Sequence, residues 1–570
     1  MKKFERKTSG NVVMIKSNER AFAIALCVLT VVGMVFRVLY GWDHDESYNI
    51  LLAQKIADGK VLFRDMWDLH QTAAIFPALL CRLFVSITGS TEGIAVFLRA
   101  MACLVQIVLS VYFYFGLKRF YGSRCAFGAA FVIANMLPRA TQEIEYSTVS
   151  VWGCMICSML LLQISKEGMN YGKLCIASVF YAAAVYSYPT IIITVPFVAF
   201  LIIFIVADNR KTGVLAALAF FAVCMVCAAV LVAYLLANMS VSDFIMTIRE
   251  LGKNGDHSTL FNAFTRIDYI SKSAARLLAM GIAAAILGFV LKRLFKIEIN
   301  IVYSFVLLTT LFVVILNLTG IRPSGPFGLL ERYIGAVILL PLLRIKEAER
   351  PMVWLFYGFG IAIYIGVLMG SNLGFNENAM YLESSIVCLV IMMIRRIDEY
   401  QGKTFGVSVA AAIVFLLGIM FSSAYFVRID STKPANVMQC TSTLEEGPLR
   451  GIKVFPEQAG QYEQQSKSVK TNTEEGKLYT LLTREPIMYY FVKGEYISAQ
   501  YAATGQYYNE QWIDFYTLFG RDIPDCFLLS RTDYSDVSKF YETEFGQWVM
   551  TNYSENSSKS DDAFAVFERR

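Results

Sequence analysis

Six carboxylates, Asp43, Asp45, Glu46, Asp58, Asp65 and Asp68, stand in one short segment, 41–71, directly after the first long apolar run. Aromatic residues are threaded among them. The segment opens Gly41-Trp-Asp-His-Asp-Glu-Ser-Tyr48 and closes Phe63-Arg-Asp-Met-Trp-Asp-Leu-His70. A carboxylate at the edge of an apolar layer is partly desolvated, so its pKa rises and it becomes a proton acceptor that works near neutral pH. The plainer reading of the same residues is a set of solvated loop acids. Further on, Glu143-Ile-Glu145 repeats the acid-x-acid spacing of Asp43 and Asp45. Two such pairs offer the oxygen ligands that Mg²⁺ or Mn²⁺ prefers.

Composition names the scaffold that must position these groups. The chain has 570 residues, 56% of them hydrophobic and 17% charged, with a mean hydropathy of +0.50. Soluble domains carry about 25% charged residues, so the charged side chains here are too few to cover a water-facing surface of this size. The remaining solvent is a bilayer. A helix needs about 20 apolar residues to cross it, and spans are expected near 21–40, 93–116, 125–141, 147–164, 172–187, 189–207, 213–237, 273–291, 300–318, 331–343, 353–370, 379–394 and 405–427. Tyr188-Pro189 separates two of them, because the residue before proline avoids helical geometry. The predicted class is a polytopic α-helical membrane protein of about 13 spans.

Charge gives the expected orientation. The basic N-terminus, 1–20, shares a side with Lys118, Arg119, Arg124, Lys166, Lys173, Arg210 and Lys211, and later with Arg293, Arg344 and Arg395. That side holds about 22 Lys/Arg against about 9 Asp/Glu, and the opposite loops reverse the balance, which puts the N-terminus in the cytoplasm. An odd number of spans then places 428–570 outside. The segment 72–87 is apolar but short, carries Pro77 and Arg82, and is read as a helix lying in the outer interface of a membrane domain covering 21–427. The tail begins polar over 429–476 and continues in alternating apolar and polar runs such as Pro486–Val492 and Asp525–Leu529, the mark of a small extracytoplasmic α/β domain. Most of the 12 cysteines sit in apolar runs as small hydrophobes. Cys440 and Cys526 lie in the tail and are expected to be able to pair if it is oxidised.

Trp42 to Leu80 resembles the first extracytoplasmic loop of the GT-C superfamily of membrane glycosyltransferases, within it the group of protein O-mannosyltransferases, aminoarabinose lipid A transferases and related bacterial sugar transferases. Asp45-Glu46-Ser-Tyr48, Ala53, Gly59, Asp65 and Pro77 carry the likeness. Gln71-Thr-Ala-Ala74 stands where that group has Pro-Pro-Leu. Glu331-Arg332-Tyr333 leading to Pro341 is similar to the Arg-Tyr…Pro pattern of a late span there. The resemblance covers the membrane region and implies a GT-C-like fold. It also implies transfer of a sugar from a polyprenyl-phosphate carrier to an extracytoplasmic acceptor, usually with inversion. It makes Asp45 the general base and Glu46 its neighbour, with Tyr48, Asp65, Asp68 and His70 on the acceptor side.

A phosphate leaving group needs preorganised cations. Candidates are Arg332, Arg322, Arg249, Lys253, His257 and Arg266, with Arg332 first because guanidinium forks onto phosphate oxygens. Snorkelling headgroup contacts are the plainer role for each. The O-mannosyltransferase-like branch needs no metal. A divalent cation on Asp43, Asp45, Glu143 and Glu145, as in the oligosaccharyltransferase branch, is the other expectation. Membrane lipids and the lipid-linked donor are the implied partners, and no nucleic acid is. A transporter or lipid-linked sugar flippase is the alternative class. Such carriers place charge mid-span and show paired inverted halves, whereas carboxylates here gather in one outer loop. A non-catalytic envelope scaffold is the third.

Overall fold

A computed structural model describes residues 2–68, 70–137, 142–252, 267–319, 328–371, 377–430, 433–501, 510–517, 522–533 and 538–570. Among them, nine helices are long and apolar enough to cross a membrane. The chain is a multi-pass helical membrane protein with a C-terminal sheet domain.

The order begins α1 (Lys2–Leu39), α2 (His44–Ala57), α3 (Ile75–Thr88), α4 (Ile94–Asn135), α5 (Tyr146–Glu167), α6 (Tyr171–Ser187), α7 (Val195–Leu201), α8 (Arg210–Asn238) and α9 (Val241–Leu251). It continues with α10 (Ile267–Phe295), α11 (Ile301–Thr319), α12 (Gly328–Leu339), α13 (Phe359–Gly370), α14 (Glu383–Ile397) and α15 (Gly402–Tyr425). The two spans expected at 93–116 and 125–141 are the arms of α4. Gly122 has φ +82°, a left-handed backbone that glycine adopts without a Cβ penalty. The chain reverses there, since Gln106 Nε2 donates to the carbonyls of Ile133 at 2.7 Å and Met136 at 2.8 Å. A straight helix rising 1.5 Å per residue would hold those groups about 40 Å apart.

Long-range contacts sort the helix ends onto two faces. On one face Arg124 bonds Glu19 at 2.6 Å and Asp398 at 3.4 Å, and Lys166 Nζ reaches the carbonyl of Ala348 at 2.8 Å. Buried Glu349 pairs there with Arg395 at 2.6 Å and with Arg396. On the other face lie the 41–70 segment, the start of α4, the 142–146 turn, α9 and the C-terminal domain. Gly41 N donates to Lys453 O at 2.8 Å, Trp67 N to Ala499 O at 2.8 Å, Gly93 N to Gly447 O at 3.0 Å and Gln511 Nε2 to Glu250 O at 3.0 Å. Trp67 and Gly93, which flank α3 in the chain, are thus both bonded to the C-terminal domain. By length and composition 71–88 nonetheless qualifies as one of the nine apolar helices. Phe76, Leu79, Leu83 and Ile87 remain exposed along it.

The polar stretch after α15 is ordered. It forms hairpin β1 (Phe426–Asp430) with β2 (Lys433–Asn436), the short pair β3 (Ser442–Thr443) and β4 (Lys453–Val454), and α16 (Pro456–Asn472). The domain's sheet contains β5 (Leu478–Leu482), β6 (Glu495–Tyr496), β7 (Cys526–Ser530), β8 (Tyr553–Glu555) and β9 (Phe564–Arg569) in the order β6-β5-β7-β9-β8. β5 runs parallel to β6 and β7, while β9 is antiparallel to β7 and β8. The two-residue period of a strand sends Cys526 and Leu528 to one face and Phe527 and Leu529 to the other. Both faces are buried. The first joins the core that continues into the helices. The second packs on Trp512 and Phe515 of α17 (Glu510–Thr517), Phe545 and Val549 of α18 (Glu544–Asn552), and on Trp67 and Leu251 from the membrane region. Two loops separated by about 180 residues thus plug into one domain core. Cys440 and Cys526 are both free; Cys440 buries against Val427 and Val437, in a packing cluster separate from that of Cys526.

Candidate active site

The expected base sits at a helix start. Asp43 is the N-cap of α2, and its Oδ1 accepts from Asp45 N at 3.0 Å. That cap puts Asp45 in the first turn, where unpaired N–H groups and the helix dipole favour an anion. His44 bridges the two acids, with Nδ1 3.8 Å from Asp43 and Nε2 3.4 Å from Asp45. Asp43 is buried, whereas the Asp45 side chain is 27% exposed. The turn before the helix is set by Gly41 at φ +79°; a Cβ there would stand 2.6 Å from Val427 Cβ.

Glu46 faces elsewhere. It is buried against Arg99 of α4, which gives it two bonds of 2.6 Å and 2.5 Å. The same guanidinium donates to the carbonyls of Gly41 at 2.7 Å and Val38 at 3.1 Å, at the frayed end of α1. Its carboxylate neutralises a buried arginine that ties α1, α2 and α4 together. One arginine inside an otherwise apolar span was the available signal for Arg99.

Tyr48 senses the carboxylates of Asp68 and Asp45. Burial pushes the Asp68 carboxyl up to about 8, against the opposing pull of Tyr48, and drives the Tyr48 phenol well above its ordinary value. The Asp68 Oδ2 atom has no partner among the described residues. His70 stacks on Tyr146 at 3.8 Å, with Tyr188 at 5.6 Å and Tyr381 beyond it at 5.5 Å from Tyr188. Asp65 lies apart from this row, forked by Arg64 at 2.8 Å and 3.0 Å.

The C-terminal domain adds carboxylates that the linear sequence does not connect with the loop. Glu485 accepts from Ser47 Oγ at 3.3 Å. Burial raises its carboxyl to about 7; nearby His44 opposes the rise, and Asp533 and Asp43 add to it. Asp533 is itself raised by burial. An acidic junction, Asp43, Asp45, Glu485 and Asp533 around His44, therefore spans the loop and the domain.

The four-carboxylate metal set does not assemble. Glu145 is the N-cap of α5, accepting from Ser147 N and Thr148 N at 2.9 Å each and from both hydroxyls. Glu143 accepts from Asn49 Nδ2 at 3.3 Å. Among the described residues, the metal-ligand atoms that lie within 4.8 Å of one another are those of Asp43, His44 and Asp45. Of the expected phosphate cations, Arg249 is exposed in the last turn of α9 and Arg332 belongs to α12. Lys253, His257, Arg266 and Arg322 lie outside the described residues.

No family model matches the chain, and no curated protein matches it. Among solved structures it is similar to the archaeal oligosaccharyltransferase AglB from Archaeoglobus fulgidus in complex with an inhibitory peptide and a dolichol-phosphate, at 11% identity and a TM-score of 0.47 over 97% of this chain and 74% of that one. It is similar to ArnT from Cupriavidus metallidurans bound to undecaprenyl phosphate at 11% identity and a TM-score of 0.47, over 97% of this chain and 98% of that one.

Proposed function

We propose that this chain is an inverting membrane glycosyltransferase that moves a hexosyl or pentosyl unit from a polyprenyl-phosphate carrier to an envelope glycolipid, polysaccharide or protein. The observation that carries the reading is the partly exposed Asp45 carboxylate at the start of α2. It is held by a helix cap and His44, beside a domain that closes over the loop, on the acid-rich face of a multi-pass bundle. In this reading the basic face is cytoplasmic, the 41–71 loop and the 428–570 domain are outside, and α3 lies in the outer interface. The acceptor hydroxyl loses its proton to Asp45 as its oxygen attacks the anomeric carbon. The bond from that carbon to phosphate breaks, and the electron pair leaves with the polyprenyl phosphate. Arg332 and Arg249, together with Lys253, His257 and Arg322, supply the charge that meets the departing oxygen. Tyr48, Asp68 and His70 line the acceptor side. No step is routed through a metal.

The test is transfer of radiolabel from a polyprenyl-phospho-sugar to an envelope extract by the purified protein in nanodiscs. Asp45→Asn should lose about 10²- to 10⁴-fold in rate, the usual worth of a general base, while donor binding holds. No transfer from any polyprenyl-linked donor by the folded protein would overturn the reading. Movement of lipid-linked sugar across sealed vesicles without transfer would replace it with a flippase.

A further inference from the structure

A second cleft, of about 350 Å³, opens where three remote segments meet. The 41–71 loop contributes Arg64 and Asp65, the end of α8 contributes Asn238, α9 contributes Asp243 and Thr247, and the C-terminal domain contributes Glu495 and Tyr496. The volume is at the lower end of small-ligand pockets, about 300–1,000 Å³.

The lining is chemically specific. Thr247 is fully buried, and its hydroxyl has no partner among the described residues, so a hydrogen-bonding group is left facing inward. A ligand hydroxyl that reached this atom would give it the partner it lacks. Arg64 is held in its fork by Asp65 and reaches the carbonyl of Asn238 at 3.5 Å, so it bridges two of the walls. Phe63, immediately before it, has φ +62°, a strained backbone for a non-glycine residue that aims the next side chain. Tyr496 cannot swing away, because the Lys55 ammonium sits 3.0 Å from its ring centroid and Tyr489 packs 4.8 Å from it.

Charge excludes several occupants. Among the described lining residues, Asp65, Asp243, Glu495 and Asp522 outnumber Lys60 and Arg64, which disfavours a phosphate chain. An apolar ligand would strand the carboxylates and Thr247. A sugar ring suits both halves of the lining: its C–H face lies on a tyrosine, its hydroxyls donate to carboxylates, and its oxygens accept from Arg64 and Thr247. The tyrosines also connect the two sites, since Tyr501 lines the cleft, packs on Tyr489 at 5.3 Å and senses the charge of Asp68.

We propose that the cleft between Arg64, Thr247 and Tyr496 is a saccharide-binding site for a short neutral or amino-substituted glycan. Its role as the acceptor site rests on the transferase reading above; its binding of saccharide does not. The full chain in nanodiscs is applied to a printed array of microbial glycans, alongside the near-isosteric Thr247→Val, the exposed-site Glu495→Gln and the part-buried Asp243→Asn. Wild type should bind one or more glycans, and each variant should bind at least about tenfold more weakly while melting at an unchanged temperature. A folded wild type that binds no glycan, or variants that bind as well as wild type, overturns the proposal. Glycan binding without label transfer leaves the cleft standing and removes the transferase. Label transfer with an acceptor KM unmoved in all three variants removes the cleft and keeps the transferase.

Discussion

The Arg99–Glu46 pair makes a sharp quantitative prediction. Both groups are buried, at 4% and 1% side-chain exposure, and they share two short charge-assisted bonds. Replacing Arg99 by Met removes those bonds, leaves a carboxylate buried without its cation, and frees the carbonyls of Gly41 and Val38. Breaking a buried pair from one side costs about 3–5 kcal/mol. Glu46→Gln should cost less, about 2 kcal/mol, because Arg99 keeps its bonds to those two carbonyls. The double variant Glu46→Gln with Arg99→Met strands no charge. It should lie below the sum of the singles by about 2–3 kcal/mol, the coupling expected of contacting residues. The assay is unfolding by SDS titration in mixed micelles, followed by near-UV circular dichroism. A cost under about 1 kcal/mol for Arg99→Met, or strict additivity, would refute the claim that this pair fastens α2 to the bundle.

Asp68 should make stability depend on pH. Its folded pKa is raised to about 8, far above an unfolded aspartate, so between pH 5 and 8 the folded chain holds a proton that the unfolded chain has released. Its share of stability must then fall as pH rises, by up to about 1.4 kcal/mol per unit, and level off above the folded pKa; Asp68→Asn should make the slope shallower, leaving the part that Glu485 contributes below about pH 7, and parallel melting curves for the two proteins would count against it. Glu145→Ala should cost about 1–2 kcal/mol through the lost α5 cap, with Glu145→Gln much milder. Equal losses in the two variants, read by the same titration, would contradict a purely capping role.

The class was legible from composition and hydropathy, because burial in lipid is a local property of 20 or so neighbouring residues; of about 13 spans expected, nine helices among the described residues are long and apolar enough to cross. The acidic segment was legible for the same reason: its carboxylates are adjacent in the chain, and Asp43 can cap the helix that presents Asp45. Tertiary packing decided how each acid is used. Glu46 neighbours Asp45 in sequence yet turns to Arg99, and Glu145 caps α5 instead of joining Asp43. Glu485 meets Ser47 across 438 residues, and Trp67 packs beside Trp512 in the core of a domain at the far end of the chain. Hydropathy and spacing report the neighbours along the chain. The partner of a charge depends on which surfaces are pressed together, and that was settled only when the loops and the C-terminal sheet buried their apolar faces in one another.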